Sequence, residues 1–385
     1  MRANRNASNL LSRRRFLSAS AVGAGAAALG ACSAPETRDS TVAEASDEVR
    51  MGFIGVGGRG TTHLRTMLDI PGVKVTWICD IDPARVAEAS KIVEERTKTK
   101  PSTTESHLKV LDAKDVDAVL ISTPCDVHVR LYLDTIAAGK DLYAEKPMCI
   151  TVEECNSVVE AAEKSKSIVQ IGFQNRYNPR VREGIERLQK GDFGEIVEVR
   201  GAYLAHFGPL RGWLSKRARS GDWMVEQAVH FFDIMNWAFG APALKAYGWG
   251  RKDVFTADEP DRDVTDYYSA LLEYPGAVIV NWLHSWLCPA GGNFNRHTMH
   301  FVGRKGSVDI NEGVIEYMDR SPGQVLREAG GDPTRLAQAA FLRCVKTREK
   351  PLSNVYNGRD AVLVGLMVRE AVDNRRLTQM SEIAK

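Results

Sequence analysis

The chain has 385 residues, too many for one ordinary core and a suitable number for two packed domains. Hydrophobic residues make up 44% and charged residues 26%, the balance of a water-soluble globular protein, and a formal net charge of +2 supplies no field that would gather nucleic acid. Beyond the N-terminus no apolar run approaches the roughly 20 residues that a membrane-spanning helix needs.

Residues 1–32 read as an export signal. Arg2, Arg5, Arg13, Arg14 and Arg15 form a positive region, and residues 16–31 are uncharged, rich in Ala and Gly, and too short to anchor by themselves. Ser12-Arg13-Arg14-Arg15-Phe16-Leu17 resembles the twin-arginine motif, an address read by machinery that moves folded proteins. Leu29-Gly30-Ala31-Cys32 resembles a lipobox, in which Cys32 would be acylated. The expectation is a periplasmic or otherwise extracytoplasmic protein that meets the membrane only through a lipid on Cys32, with residues 33–49 as a flexible tether. The other six cysteines form no C-x-x-C pair and mostly sit in apolar runs, so neither a metal site nor a disulfide is expected.

From residue 50 the pattern alternates apolar runs with amphipathic segments, as in a parallel sheet with crossover helices. Strands are predicted at 50–56, 73–79, 118–122, 141–144 and 169–173, with helices at 61–70, 82–97, 126–138 and 152–164. Asp82-Pro83 and the pair Thr151/Glu154 mark two of the helix starts. One more helix follows Asn178-Pro179 and stops at Gly191. Strands at 195–205, 245–249, 267–273, 277–286, 297–302 and 307–310 then lack long helices between them, which points to a mostly antiparallel sheet. A single helix is expected over 222–239, and helices return at 333–347 and 358–374. The domain division is residues 50–175 for the α/β dinucleotide-binding domain, 176–350 for an α+β substrate domain, and 351–385 for a helix that packs back on the first domain.

Gly55-Val56-Gly57-Gly58-Arg59-Gly60 matches G-x-G-x-x-G between a strand and a helix. There Gly55 permits the tight turn, Gly57 lets backbone approach a pyrophosphate, and Gly60 allows close helix–strand packing. Asp80 ends the second strand 20 positions beyond Gly60, where a carboxylate bonds ribose hydroxyls and disfavours a 2′-phosphate, so NAD is expected over NADP. Arg85 is the one nearby cation that could accommodate that phosphate.

Glu145-Lys146-Pro147 follows a parallel strand, at the edge where open α/β sheets bind ligands. A lysine there, its pKa lowered beside the positive nicotinamide ring in a dry pocket, could accept a proton from a carbinol as its hydride leaves; on position alone a solvated strand-end lysine is the more common case. Glu226, His230, Asp233 and Trp237 recur at helical spacing, a stripe of charge unusual for a core face. His230 could relay a hydroxyl proton, with Glu226 or Asp233 fixing its tautomer; a satisfied core histidine reads equally well. Arg176, Tyr177, Trp213, Trp223 and Asp233 are candidate substrate residues, and Tyr203 and Arg211 are further pocket candidates. Of these, Tyr203, Arg211, Trp213 and Trp223 read equally well as core, and His297 and His300 read as structural.

The ordered set Gly55-x-Gly57-x-x-Gly60, Thr123-Pro124 with His128, Glu145-Lys146-Pro147, Arg176-Tyr177-Asn178-Pro179 and His230-x-x-Asp233 resembles the Gfo/Idh/MocA oxidoreductases over residues 50–375. The resemblance implies a Rossmann domain followed by an open sheet that carries the substrate pocket, and a homo-oligomer. It implies Lys146 and His230 as the catalytic pair, with Thr123, Pro124, His128 and Glu145 near the cofactor. Where the family commonly has an aspartate four residues before the histidine, this chain has Glu226. The function expected is hydride transfer between a sugar, glycoside or polyol carbon and an NAD held tightly, since a protein exported folded finds no exchangeable pool outside. An NAD-dependent glycoside hydrolase and a non-catalytic sugar-binding lipoprotein are the alternatives.

Overall fold

The computed structural model describes residues 48–384; the predicted export signal, Cys32 and the tether lie outside the described residues. The first sheet is parallel throughout, in the order β3-β2-β1-β4-β5-β6. Its strands are β1 (Val49–Ile54), β2 (Val73–Cys79), β3 (Ser102–Thr104), β4 (Ala118–Ile121), β5 (Asp141–Ala144) and β6 (Val169–Ile171). The helices among them are α1 (Gly58–Met67), α2 (Pro83–Thr97), α3 (His107–Asp112), α4 (His128–Ala137) and α5 (Val152–Lys164). This is the doubly wound order, and its direction reverses between β1 and β4, so a crevice opens at the carboxyl ends of those two strands. Asp82 caps α2 by accepting from Ala84 N at 2.9 Å, and Thr151 caps α5 by accepting from Glu154 N at 3.2 Å, as the sequence signals require. Glu154 reaches back to Ile150 N rather than Thr151 N, so the predicted capping box is displaced by one residue. The sequence reading omitted β3 and α3. β3 is a three-residue polar edge strand with no apolar alternation to betray it.

After α6 (Pro179–Lys190) comes a nine-stranded mixed sheet. Its central strands are β7 (Ile196–Leu204), β8 (Lys245–Arg251), β9 (Tyr267–Tyr274), β10 (Val278–Ser285) and β11 (Arg296–Gly303). The short outer ones are β12 (Gly306–Asp309), β13 (Val314–Tyr317), β14 (Gln324–Val325) and β15 (Thr378–Gln379). All pairings are antiparallel except β7 with β10. On one face the buried residues Val199, Val280, Trp282, Phe301 and Leu272 form a core with the helices that follow β7.

The single helix expected over 222–239 is broken. Short α7 (Arg217–Ser220) and α8 (Trp223–Glu226) precede α9 (Val229–Phe239), and Gln227 and Ala228 interrupt the ladder. Ala228 N bonds back to Trp223 O, and His230 N bonds to Gln227 O instead of Glu226 O, which frees the Glu226 carbonyl. Asp222, at φ 71°, turns the chain into α8. The last long helices are α10 (Pro333–Thr347) and α11 (Val355–Asn374), followed by α12 (Met380–Ile383). α10 packs on α1, β1 and β5 through Ala337, Phe341 and Leu342; α11 packs on α5 and β6 and equally on α9 and β8, tying the two sheets together.

Candidate active site

A cleft of about 630 Å³ lies at the carboxyl end of the parallel sheet, lined by the glycine turn, Asp80, Thr123, Pro124, Glu145, Lys146, Trp213 and Glu226. Each wall follows from local sequence. Gly55 adopts φ +85°, and a Cβ there would meet Ser122 O at 2.5 Å. A Cβ on Gly60 would meet Gly55 O at 2.1 Å, so glycine is what lets α1 start directly behind the turn. Gly57 caps α1 with no side-chain bond, leaving the first-turn N–H groups directed at the cleft, a cradle suited to phosphate. Asp80 fixes this turn from the side: its Oδ2 accepts Val56 N at 2.8 Å and its Oδ1 accepts Asp82 N at 3.0 Å. Arg85 lies against Gly57 and pairs with Asp82 at 3.3 Å.

Lys146 is nearly buried, and its ammonium donates to Glu226 Oε1 at 2.6 Å and to the freed Glu226 carbonyl at 2.7 Å. Burial works against the charged ammonium, but Glu226 and Glu145 outweigh it and hold the Lys146 pKa above its ordinary value. The carboxylate partner thus offsets the lowering that burial alone would bring. Glu145 is itself buried and anionic. Desolvation would raise its pKa, yet Arg59, His63 and Lys146 hold it well below the usual carboxylate range. Arg59 Nε donates to Glu145 Oε1 at 2.7 Å, so this turn residue is directed to the end of β5 as much as to any phosphate. His128 is buried behind the cleft between the turns that carry Thr123 and Lys146, with its ring nitrogens 2.8 Å from Pro147 O and 2.9 Å from Thr123 O, so a neutral ring donates to one of these two carbonyls.

His230 opens onto a second cavity of about 370 Å³, walled by Gln174, Asn175, Tyr203, Gln227, His297 and Asn311 among others. Its Nδ1 is buried without a partner, and its ring stands edge-on to Phe173 at 5.9 Å. Burial, with the nearby Lys146 charge, pushes the imidazole pKa down to about 3, so it is neutral at physiological pH. Because the helix is broken, Glu226 turns to Lys146, and Asp233 lies 1% exposed in a bidentate ion pair with Arg176 at 2.8 Å. Neither carboxylate bonds His230, which corrects the tautomer role expected of them. Arg176 and Asp233 are consumed by each other and line neither cavity. Tyr177 accepts from Ser353 N at 3.3 Å, and Trp223 is buried with its indole N–H donating to Thr265 O, so neither of these expected substrate residues faces the cavities. Trp213 does line the cleft, and Arg211 is an exposed partner of Glu259. His297, read as structural, instead stands against Tyr203 at 4.1 Å on the cavity wall. Three residues near the site escaped the sequence reading: His63, Gln338 and Arg219. Arg219 reaches from α7 to Asp126 at 2.9 Å across the cleft's edge.

A doubly wound domain with a glycine-turn phosphate cradle and a lysine in its cleft, beside a second, sheet-walled cavity, is the arrangement of nicotinamide-dependent oxidoreductases. Residues 49–173 match the model of an oxidoreductase family with an NAD-binding Rossmann fold, and residues 181–309 match the Gfo/Idh/MocA C-terminal domain. The chain belongs to the Gfo/Idh/MocA oxidoreductase family.

Among curated relatives, an alpha-N-acetylgalactosaminidase of Shewanella oneidensis is 31% identical over 188 residues, 47% of this chain and 40% of the relative. A glycosyl hydrolase family 109 protein of Shewanella baltica is 32% identical over the same share of each chain. The chain thus spans about 40% of the length of these relatives. Among solved structures, levoglucosan dehydrogenase in complex with NADH and levoglucosan superposes with a TM-score of 0.75 at 17% identity, covering 86% of this chain and 99% of that one. Aldose-aldose oxidoreductase from Caulobacter crescentus gives 0.74 at 19% identity over the same shares. At these identities the likeness is one of fold.

Proposed function

We propose that this protein oxidises a hydroxyl-bearing carbon of a sugar, glycoside or polyol with NAD held in the first cleft and the substrate in the second cavity. The observation that carries this reading is that Lys146 and Glu226 line the cleft with the phosphate cradle, while His230, close enough to feel the Lys146 charge, lines the amide-rich cavity beside it. Bound nicotinamide supplies the hydride acceptor. Lys146, once it has lost its own proton, takes one from the substrate hydroxyl, while neutral His230 holds that hydroxyl by a hydrogen bond. Asp80 favours NAD by meeting the ribose hydroxyls with a negative charge. We also propose that the chain is exported folded by the twin-arginine route, with its dinucleotide already in place.

A second reading has its own support in the glycosidase names of the 31–32% identical relatives. Here the same groups would remove a proton beside the transiently oxidised carbon so that the aglycone leaves by elimination; water would then add to the double bond and the hydride return to the carbon, with no net redox change.

The test is to purify the full chain natively without added cofactor, identify released dinucleotide by mass spectrometry, and follow nicotinamide absorbance and reducing-sugar release with a panel of sugars and glycosides. Reduced nicotinamide accumulating with one sugar supports net oxidation, and free reducing sugar without it supports hydrolysis. Lys146→Ala is expected to retain dinucleotide and slow either chemistry by about 10²–10⁴-fold. Unchanged turnover in that variant would overturn both readings.

A further inference from the structure

Behind Glu145, on the side away from the cleft, lie two fully buried polar side chains, His63 of α1 and Gln338 of α10. Gln338 Nε2 is 3.0 Å from His63 Nδ1 and also 3.0 Å from the His63 carbonyl oxygen. The carbonyl decides which way the amide is turned, because only the NH₂ end can face it favourably. The same NH₂ then donates to Nδ1, which must present its lone pair. The ring proton therefore sits on Nε2, 2.6 Å from Glu145 Oε1. The other oxygen, Oε2, accepts the backbone N–H of Lys146 at 2.7 Å. Neither His63 nor Gln338 lines the cleft, so neither can touch a ligand there.

We propose that Gln338 and His63 are positioning residues: Gln338 sets the His63 tautomer, His63 orients Glu145, and Glu145 fixes the backbone from which Lys146 reaches the substrate. This rests on the reading of Lys146 given above. A helix 275 residues away in sequence from His63 thereby sets the geometry of the catalytic strand end.

The tautomer is read without any substrate, by ¹⁵N NMR of the histidine-labelled full chain, with His63→Gln assigning the signal. A protonated Nε2 and bare Nδ1 are expected; the opposite tautomer would overturn the proposal. Gln338→Glu puts an acceptor against Nδ1, so His63 should take a proton there. Single-turnover reduction of bound NAD, by the sugar active with the wild type, should then fall about tenfold or more. NAD affinity should stay within about threefold, since no cofactor contact is lost. His63→Gln keeps an N–H for Glu145 and should hold the rate within about threefold of wild type, whereas His63→Leu should not. Rate and affinity falling together, or a shifted tautomer with an unchanged rate, would show a merely structural role. Wild-type protein whose bound NAD no sugar or glycoside reduces, its tautomer as expected, would refute the oxidoreductase reading and the catalytic half of this proposal with it.

Discussion

Lys146 and Glu226 illustrate how one contact reverses an expectation. Burial alone would make the lysine a weaker acid-holder, but a carboxylate at 2.6 Å keeps it charged. Removing that charge in Glu226→Gln should lower the Lys146 pKa, so the limb of the rate–pH profile in which the lysine loses its proton should move to lower pH. A limb that stays in place would mean another group governs it. Asp233 makes the contrasting case. Its carboxylate is buried against Arg176 and away from both cavities, so Asp233→Ala should cost about 3–5 kcal/mol in denaturant unfolding while leaving dinucleotide affinity unchanged. The sequence named the glycine turn, Asp80, Thr123, Pro124, Glu145 and Lys146 on the wall of the first cleft, because a glycine turn and strand-end motifs are local patterns, but not Glu105, His107, Arg130 or Arg219 on the same wall. It could not show that Arg176 and Asp233 neutralise each other, since a pair 57 residues apart leaves no local mark. His63 carried a faint signal, three places beyond Gly60 on the helix the motif opens. Gln338 carried none.

At the scale of elements, helix starts were legible at Asp82, Thr151, Asn178 and Asp332, where a side chain supplies the cap, but not at Asn354, whose capping box opens α11 three residues before the expected start at 358. Short polar strands such as β3 and β14 were not, because pairing with a neighbour forms them and their own composition does not. The break between α8 and α9 was hidden for a related reason: spacings of four, three and four are the same whether or not the ladder is continuous. The junction of β1 and α1 leaves no such freedom. Gly60→Ala would drive a methyl into the Gly55 carbonyl, and we expect thermal unfolding to show a loss of about 1–3 kcal/mol together with loss of dinucleotide binding. Normal affinity in a folded Gly60→Ala protein would contradict the close-packing role given to this glycine.

Across the whole molecule, four buried histidines, His63, His128, His230 and His284, are held neutral by their surroundings. His63 accepts from Gln338, His284 accepts from the Trp286 indole at 3.0 Å, and His230 has no partner for Nδ1. Desolvation lowers the pKa of each of the four in the folded state. Below the unfolded value of roughly 6.5 the unfolded chain binds protons that the native chain refuses, so stability is full above that pH and is lost as pH falls. Each histidine contributes up to about 1.4 kcal/mol per pH unit, and the melting temperature should begin to drop below about pH 6.5. A flat melting temperature down to pH 5 would show that these rings are protonated in the native state.

The interruption at Gln227 and Ala228 also bears on any attempt to move this chemistry elsewhere. A designer who copied lysine, glutamate and histidine onto an unbroken helix would reproduce the side chains and still lose the Glu226 carbonyl, because a regular turn would claim it for the amide of residue 230. The transplanted lysine would keep one of its two partners. What has to be inherited is a missing backbone bond, a feature that no list of side chains records.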